Sequence, residues 1–442
     1  MQKNKKDEED ISAYYPDGDS ENMENDDLEE EFYSQNQKKK KKIKKKNARI
    51  TKSQLALIIG IFVIYTVIIF TASWLIFYKP AYNSNNVTEL PFETETAETH
   101  DEENPPLDGD SSSDKTENNA VIKDEYTAKE GVYNILVVGH DDEASLADVT
   151  MIVNVNENDK SITVMQFPRD TLVSDEYAPL TNRINNAFNT FYSQAYNNGD
   201  SDAYMTAVKE YEEMLEKSLC ININFSVLMG LDGFRGIVDA MGGVDVYVPA
   251  DMYYSDPEQD LYISIPAGYQ HLDGSDAEGF VRFRSGYLQA DLGRVNAQKI
   301  FLTAMFNKVK ETVKSVNVTV LTNIANEIFK CVDTDMSISD IVYFAKLFLN
   351  IDLSGINMMT IPGNMAGQYY VVNRASTLKV INEYYNIYNK EISDSIFDKN
   401  YIFCDTDAQY ICDVYFDTSD TIYDGVHNAE EIDDESIYIP RT

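Results

Sequence analysis

VYNILVVGHDDEASLADVTMIVNVNENDKSITVMQFPRD, residues 132–170, carries the reading of the fold. VYNILVVGHDD is a short apolar run closed by a turn signal and predicts a buried strand. DVTMIVNVNENDKSITVMQFPRD predicts two more strands joined by the polar turn NENDK. Downstream, DAYMTAVKEYEEMLEK (202–217) has helical spacing, and INFSVLMGLDGFRGIVDAMGGVDVYVP (223–249) reads as strand, helix, strand. Strands alternating with helices predict an α/β domain, a sheet covered by helices with functional loops at the strand ends.

Working outward, the chain has 442 residues, 43% hydrophobic and 25% charged, with 74 acidic against 37 basic side chains and a net charge of −37. The apolar fraction supports a real core. So acidic a balance argues against nucleic acid as a partner, because phosphate backbones are bound by basic surfaces. An anionic ligand would have to be held by a local cluster of arginines.

Residues 1–52 hold 13 acidic and 13 basic side chains, including nine Lys or Arg between Lys38 and Arg49, and read as a disordered tail. Residues 53–78, SQLALIIGIFVIYTVIIFTASWLIFY, contain no charged side chain. A helix of that length spans about 39 Å, more than the roughly 30 Å of a bilayer core, and predicts one uncleaved transmembrane helix. The basic flank orients it, with the tail in the cytoplasm and the rest outside; Trp74 and Tyr78 suit the outer interface. Residues 79–130 read as an acidic extracellular stalk, 131–392 as the folded domain and 393–442 as an acidic, mostly solvated extension. Cys220, Cys331, Cys404 and Cys412 lack metal-ligand spacing; a Cys404–Cys412 disulfide is one of three pairings open to them.

No HExxH, GxSxG, GxxxxGK[ST] or GxGxxG occurs, and there are four histidines, His100, His140, His271 and His427. Acids and arginines remain. Asp141 ends one predicted strand and Asp148 begins the next, so both could offer carboxylate oxygens to a hard cation; Asp is also an ordinary turn residue. Arg169, after the third strand, could bind a phosphate or pair with Asp170. In GFVRFRSGYLQADLGRVNAQKIFLTAM (279–305), an extended VRFR would put Arg282 and Arg284 on one face, with Val281 and Phe283 toward the core. Asp291 would cap a helix whose Arg294 and Gln298, four apart, share a face. Those groups could converge on a phosphate or pyrophosphate, or be paired internally.

The motifs NILVVGHD, DVTMIVNVN, VMQFPRD, RINNAF, DGFRGIVDAMGGVDVYVP, AGYQHLDGSDAEGFVRFR and DLGRVNAQK, in this order, resemble the LytR-CpsA-Psr family of membrane-anchored wall-polymer transferases. The resemblance covers about residues 132–390, including the later TDMSISDIVYFAKLFLNIDLSGINMMTIPG. It implies a central mixed β-sheet flanked by helices that enclose an apolar groove for a polyprenyl chain. It also implies extracellular transfer of a glycopolymer, such as wall teichoic acid or capsular polysaccharide, from polyprenyl pyrophosphate to peptidoglycan through a phosphodiester. Carried over, Asp141 and Asp148 would bind magnesium (or manganese), and Arg169, Arg282, Arg284, Arg294 and Gln298 would hold the pyrophosphate. The general base would be Asp141 or Asp170.

One position departs from the family's Arg-Ser-Asp-Thr: this chain has Leu146, Ala147, Asp148 and Val149, so one phosphate contact would be either missing or replaced by His140. A pyrophosphatase acting on the same carrier and a non-catalytic lipid-binding regulator are the alternative functions. Phe188, Phe225, Val227, Leu228, Phe234 and Ile237 are groove residues or ordinary core.

Overall fold

The computed structural model describes residues 78, 80, 90–93, 126–403 apart from 142–144, 258–260, 285–289 and 316–317, and 427–428. The predicted cytoplasmic tail, nearly all of the predicted membrane span and the Cys404–Cys412 pair lie outside the described residues. Among the described residues no helix is long and apolar enough to cross a membrane, and Cys220 and Cys331 are free.

The opening stretch forms β1 (Val132–His140), β2 (Ala147–Asn156) and β3 (Ser161–Phe167), as the apolar runs and the NENDK turn predict. Then follow α1 (Ile184–Asn197), α2 (Ala203–Leu219), β4 (Phe225–Gly230), α3 (Leu231–Ala240) and β5 (Val244–Val248). Two hairpin partners, β6 (Met252–Asp256) with β7 (Leu261–Ile265), precede β8 (Gly268–Leu272), α4 (Gly274–Arg282), α5 (Ala290–Ser315) and α6 (Val318–Phe329). The chain continues through β9 (Asp333–Thr334), α7 (Ile338–Phe348), β10 (Ile356–Thr360), β11 (Gly363–Ala366), β12 (Tyr369–Val372), α8 (Arg374–Val380), α9 (Asp394–Asn400) and β13 (His427–Asn428).

Among the described residues seven strands build the main sheet in the order β13-β10-β3-β2-β1-β4-β9. β1 runs parallel to β4 and β3 parallel to β10, while β2 is antiparallel to both of its neighbours. The carboxyl ends of β1, β3, β4 and β10 and the start of β2 therefore meet at one edge. β5 does not join this sheet; it pairs antiparallel with β8 in a separate ribbon, so the strand-helix-strand reading is right in its elements, and the second strand lies outside the main sheet.

Side-chain alternation along the strands divides the apolar residues between two faces. On one face Leu136, Val138, Ile152, Met165, Leu228 and Met359 pack against α1 and α2 and are all at most 1% exposed. On the other, Ile135, Val164 and Met358 are buried with Phe280 and Phe301 from the helices, but Val137, Met151, Val153, Phe225 and Val227 are only half-buried. This face is therefore less completely covered than the other. Of the groove candidates, Phe225, Val227 and Phe234 belong to this face, whereas Phe188 and Leu228 lie in the closed core opposite.

The folded body extends past both expected limits. Phe92 and Tyr126, assigned to the stalk, are 5% and 4% exposed and meet each other and Tyr388 in three mutual edge-to-face contacts with centroids 5.7 to 5.9 Å apart. Beyond residue 392, Ile396, Phe397 and Phe403 are buried in the same core, and β13 pairs with β10. These aromatic residues are separated by polar stretches that hide any periodicity, and only tertiary burial reveals their role.

Candidate active site at the carboxyl edge of the sheet

The turn from β1 to β2 is organised by the backbone of Leu146. Its N–H donates to Asp141 Oδ1 at 3.2 Å, and its carbonyl accepts from the N–H groups of Asp141 (3.2 Å) and Asp148 (3.0 Å). Both acids are thus fixed around one residue at the sheet edge. Asp148 Oδ1 lies 3.4 Å from Arg169 Nη1, a contact prepared by the register, since Thr150 of β2 faces Phe167 at the end of β3.

Arg169 follows β3 in a tight turn in which Thr171 Oγ1 donates to the Pro168 carbonyl at 2.6 Å. Its Nε lies 3.8 Å from Asp170 Oδ2, and Arg183 Nε lies 3.3 Å from Asp170 Oδ1. Arg183, which precedes α1, also sits 5.7 Å from the ring centroid of Tyr369. The edge therefore alternates charge, Asp148, Arg169, Asp170, Arg183. The internal pairing considered for Arg169 is present, with the arginine still a quarter exposed. The His140 ring is 8% exposed, 4.8 Å from that of Tyr204 and 6.4 Å from that of Phe188; it packs inward, so the substitution for the missing arginine does not hold.

The arginine-rich segment corrects the sequence reading. Val281 and Arg282 end a helix rather than forming a strand, and the chain becomes extended only at Phe283. The Asp273 side chain caps α4 by accepting from Asp276 N–H at 3.0 Å, and Glu278 and Arg282 pair four residues apart at 2.6 Å. Phe283 is buried and Val281 packs on the core, as expected, but Arg282 and Arg284 do not owe their positions to strand alternation. α5 begins at Ala290, which places Asp291 inside its first turn rather than at the cap.

Arg294 and Gln298, 3% and 8% exposed, lie one turn apart on α5. Gln166 Nε2 of β3 donates to Gln298 Oε1, and Gln298 Nε2 donates to the Val281 carbonyl of α4 at 3.4 Å. The amide thus joins the edge carrying Asp148 and Arg169 to the helix ending in Arg282. The structure adds Gln166, Arg183, Arg235 and Glu278 to the surroundings of the candidate residues, none of them singled out by the sequence reading. The signal for Gln166 was a buried amide in the apolar run VMQF, and for Arg183 its place in RINNAF.

Among the described residues no group of three or more His, Cys, Asp or Glu could hold a metal. Two carboxylates on adjoining strand ends nevertheless suit magnesium, which takes one or two carboxylates and fills its remaining positions with phosphate oxygens and water.

The chain matches the LytR_cpsA_psr family over residues 92–387. It belongs to the LytR-CpsA-Psr family. A teichoic acid transferase of Bacillus subtilis, TagV, is 26% identical over 53% of this chain and 58% of its own length. The cell wall biosynthesis protein LcpA of Corynebacterium glutamicum is 27% identical over 50% of this chain and 44% of its own. The chain thus spans about half the length of the curated relatives it matches. The crystal structure of TagV aligns with a TM-score of 0.45 at 25% identity, covering 57% of this chain and 95% of the crystallised chain. The family match begins at Phe92, the residue that the core buries ahead of β1.

Proposed function

We propose that this member of the LytR-CpsA-Psr family is a phosphotransferase that moves a glycopolymer from a polyprenyl pyrophosphate carrier to peptidoglycan. The observation that carries the reading is the gathering of acids and arginines at the sheet edge beside the half-buried apolar strip formed by Val137, Met151, Val153, Phe225 and Val227. A pyrophosphate and an isoprenoid tail need those two environments side by side. The wall-polymer names of the relatives support the same substrate class.

In this reading Arg169, Arg282, Arg284, Arg294 and Gln298 bind the pyrophosphate and neutralise charge on the oxygens of the transferred phosphoryl group. Asp141 and Asp148 would hold magnesium, which when bound supplies further compensation for phosphate charge. A hydroxyl of a peptidoglycan sugar forms the new O–P bond, the bridging P–O bond breaks, and polyprenyl phosphate leaves. The hydroxyl's proton would pass to Asp141 or Asp170, the latter already engaged by Arg169 and Arg183. The uncharged stretch 53–78 with its basic flank supports a single-pass membrane protein, the tail cytoplasmic and the site outside.

The test uses the full chain in lipid vesicles with magnesium, a polyprenyl pyrophosphate-linked saccharide and peptidoglycan oligomers, with products resolved by mass. A magnesium-dependent phosphodiester adduct is expected, lowered roughly 10²- to 10³-fold by Arg169→Ala or Arg282→Ala. Free phosphate without adduct would assign a pyrophosphatase. Lipid binding with no product would assign a binding protein.

A further inference from the structure

Glu278 is a carboxylate where an anion site should least want one. It is 6% exposed, stands one turn before Arg282, and uses both oxygens: Oε1 accepts from Arg282 Nη1 at 2.6 Å and Oε2 accepts from Arg235 Nη1 of α3. Arg235 is held in turn by Asp232, three residues before it.

The approach of α3 to α4 that permits this is built into the chain. A Cβ on Gly274 would lie 2.5 Å from the Arg235 carbonyl oxygen, so only glycine lets α4 begin against the α3 backbone. The Gly274 N–H donates to Asp239 Oδ1 at 2.8 Å, which locks the contact. From the other side Gln298 holds the Val281 carbonyl, next to Arg282.

We infer that Glu278 is a positioning residue that orients Arg282 for the pyrophosphate, and that Arg235 is the counter-charge that makes a buried carboxylate tolerable there; this rests on the functional reading above. The physics is specific. A carboxylate shared by two guanidinium groups fixes the geometry of the donors, and because Asp232 meets Arg235 from a position 83% exposed and screened by solvent, the inner trio keeps net positive charge. With Arg235 removed, the single negative charge of Glu278 cancels Arg282 beside the ligand. With Glu278 neutralised, Arg282 keeps its charge and loses its orientation.

These opposite defects have a distinguishing sign. Binding of inorganic pyrophosphate with magnesium to the full chain in detergent is measured by calorimetry, alongside unfolding midpoints. Glu278→Gln and Arg235→Ala are each expected to weaken binding roughly 10- to 100-fold, and in an Arg282→Ala background Glu278→Gln is expected to add less than about a twofold change, since groups acting through one another are non-additive. Glu278→Asp, which keeps the charge, should recover part of the loss. If Glu278 were only a nearby negative charge, Glu278→Gln would tighten binding. If it only tied α3 to α4, the unfolding midpoint would fall with binding unchanged. Either result overturns the inference. Arg282→Ala with parental pyrophosphate binding would overturn the reading of the site itself, and the clamp with it.

Discussion

Leu146 stands where the family pattern has arginine, yet its backbone does the local work: it brackets Asp141 and Asp148 through three hydrogen bonds. Those bonds do not depend on the side chain, which is half-buried at the sheet edge. Leu146→Arg should keep the turn and add a cation between two acids, beside the phosphate. The expected outcome is a KM for the pyrophosphate lipid roughly tenfold lower, checked by initial rates across lipid concentrations; an unchanged KM would mean that Arg169 and Arg183 already meet the ligand's charge. At this scale the acids and most of the arginines were legible in the sequence, because charged residues at strand ends are conspicuous in an acidic domain. Glu278 was not, because one more acid among 74 carries no signal until its two arginine partners are in place.

Among the elements, α2 shows how the fold sets protonation. Glu216, near its end, is buried and accepts from the Ile223 N–H at 2.6 Å and from Asn222 Nδ2 at 2.9 Å. Burial pushes its carboxyl up to about 8 from an ordinary value of 4.5. One turn earlier Glu212, bonded to Ser226 of β4, is pushed up to about 7, again by burial. A carboxyl raised on folding binds its proton more tightly in the native state. Its contribution is complete below pH 4.5 and is lost as pH rises through 7 to 8. The unfolding midpoint should therefore fall as pH rises from 4.5 to about 8, and Glu216→Gln should flatten that fall by roughly 5 °C; parallel slopes in parent and variant would refute the assignment. The helical period of α2 was readable from sequence. That its glutamates face β4 was decided by packing. α4 teaches the converse, since the capping residue Asp273 and the Glu278–Arg282 spacing were both present in the sequence, and a two-residue strand alternation was read over them.

For the whole molecule, the folded body includes residues on both sides of the domain first delimited. Phe92, Tyr126, Tyr388, Phe397 and Phe403 belong to one core cluster with the strands of the main sheet. Phe92→Ala should cost about 3 kcal/mol, and a chain beginning at Gly131, which lacks Phe92 and Tyr126, should unfold at lower temperature than one beginning at residue 88. Scanning calorimetry on the pair checks this; equal midpoints would show that the aromatic cluster contributes nothing to stability.

Local order along the chain determined the strands β1 to β4, the helices α2 and α3, the charged groups at the strand ends and the family resemblance, because each of these is written in periodicity, turn chemistry or motifs over short spans. Tertiary structure alone decided that β5 leaves the main sheet for β8, that one face of the sheet closes while the other keeps half-buried apolar side chains, and that Gln166, Gln298, Glu278 and Arg235 link three helices and a strand around the site. Those are relations between residues up to 132 positions apart. No local pattern encodes them, because they arise only when burial of the two sheet faces brings the elements together.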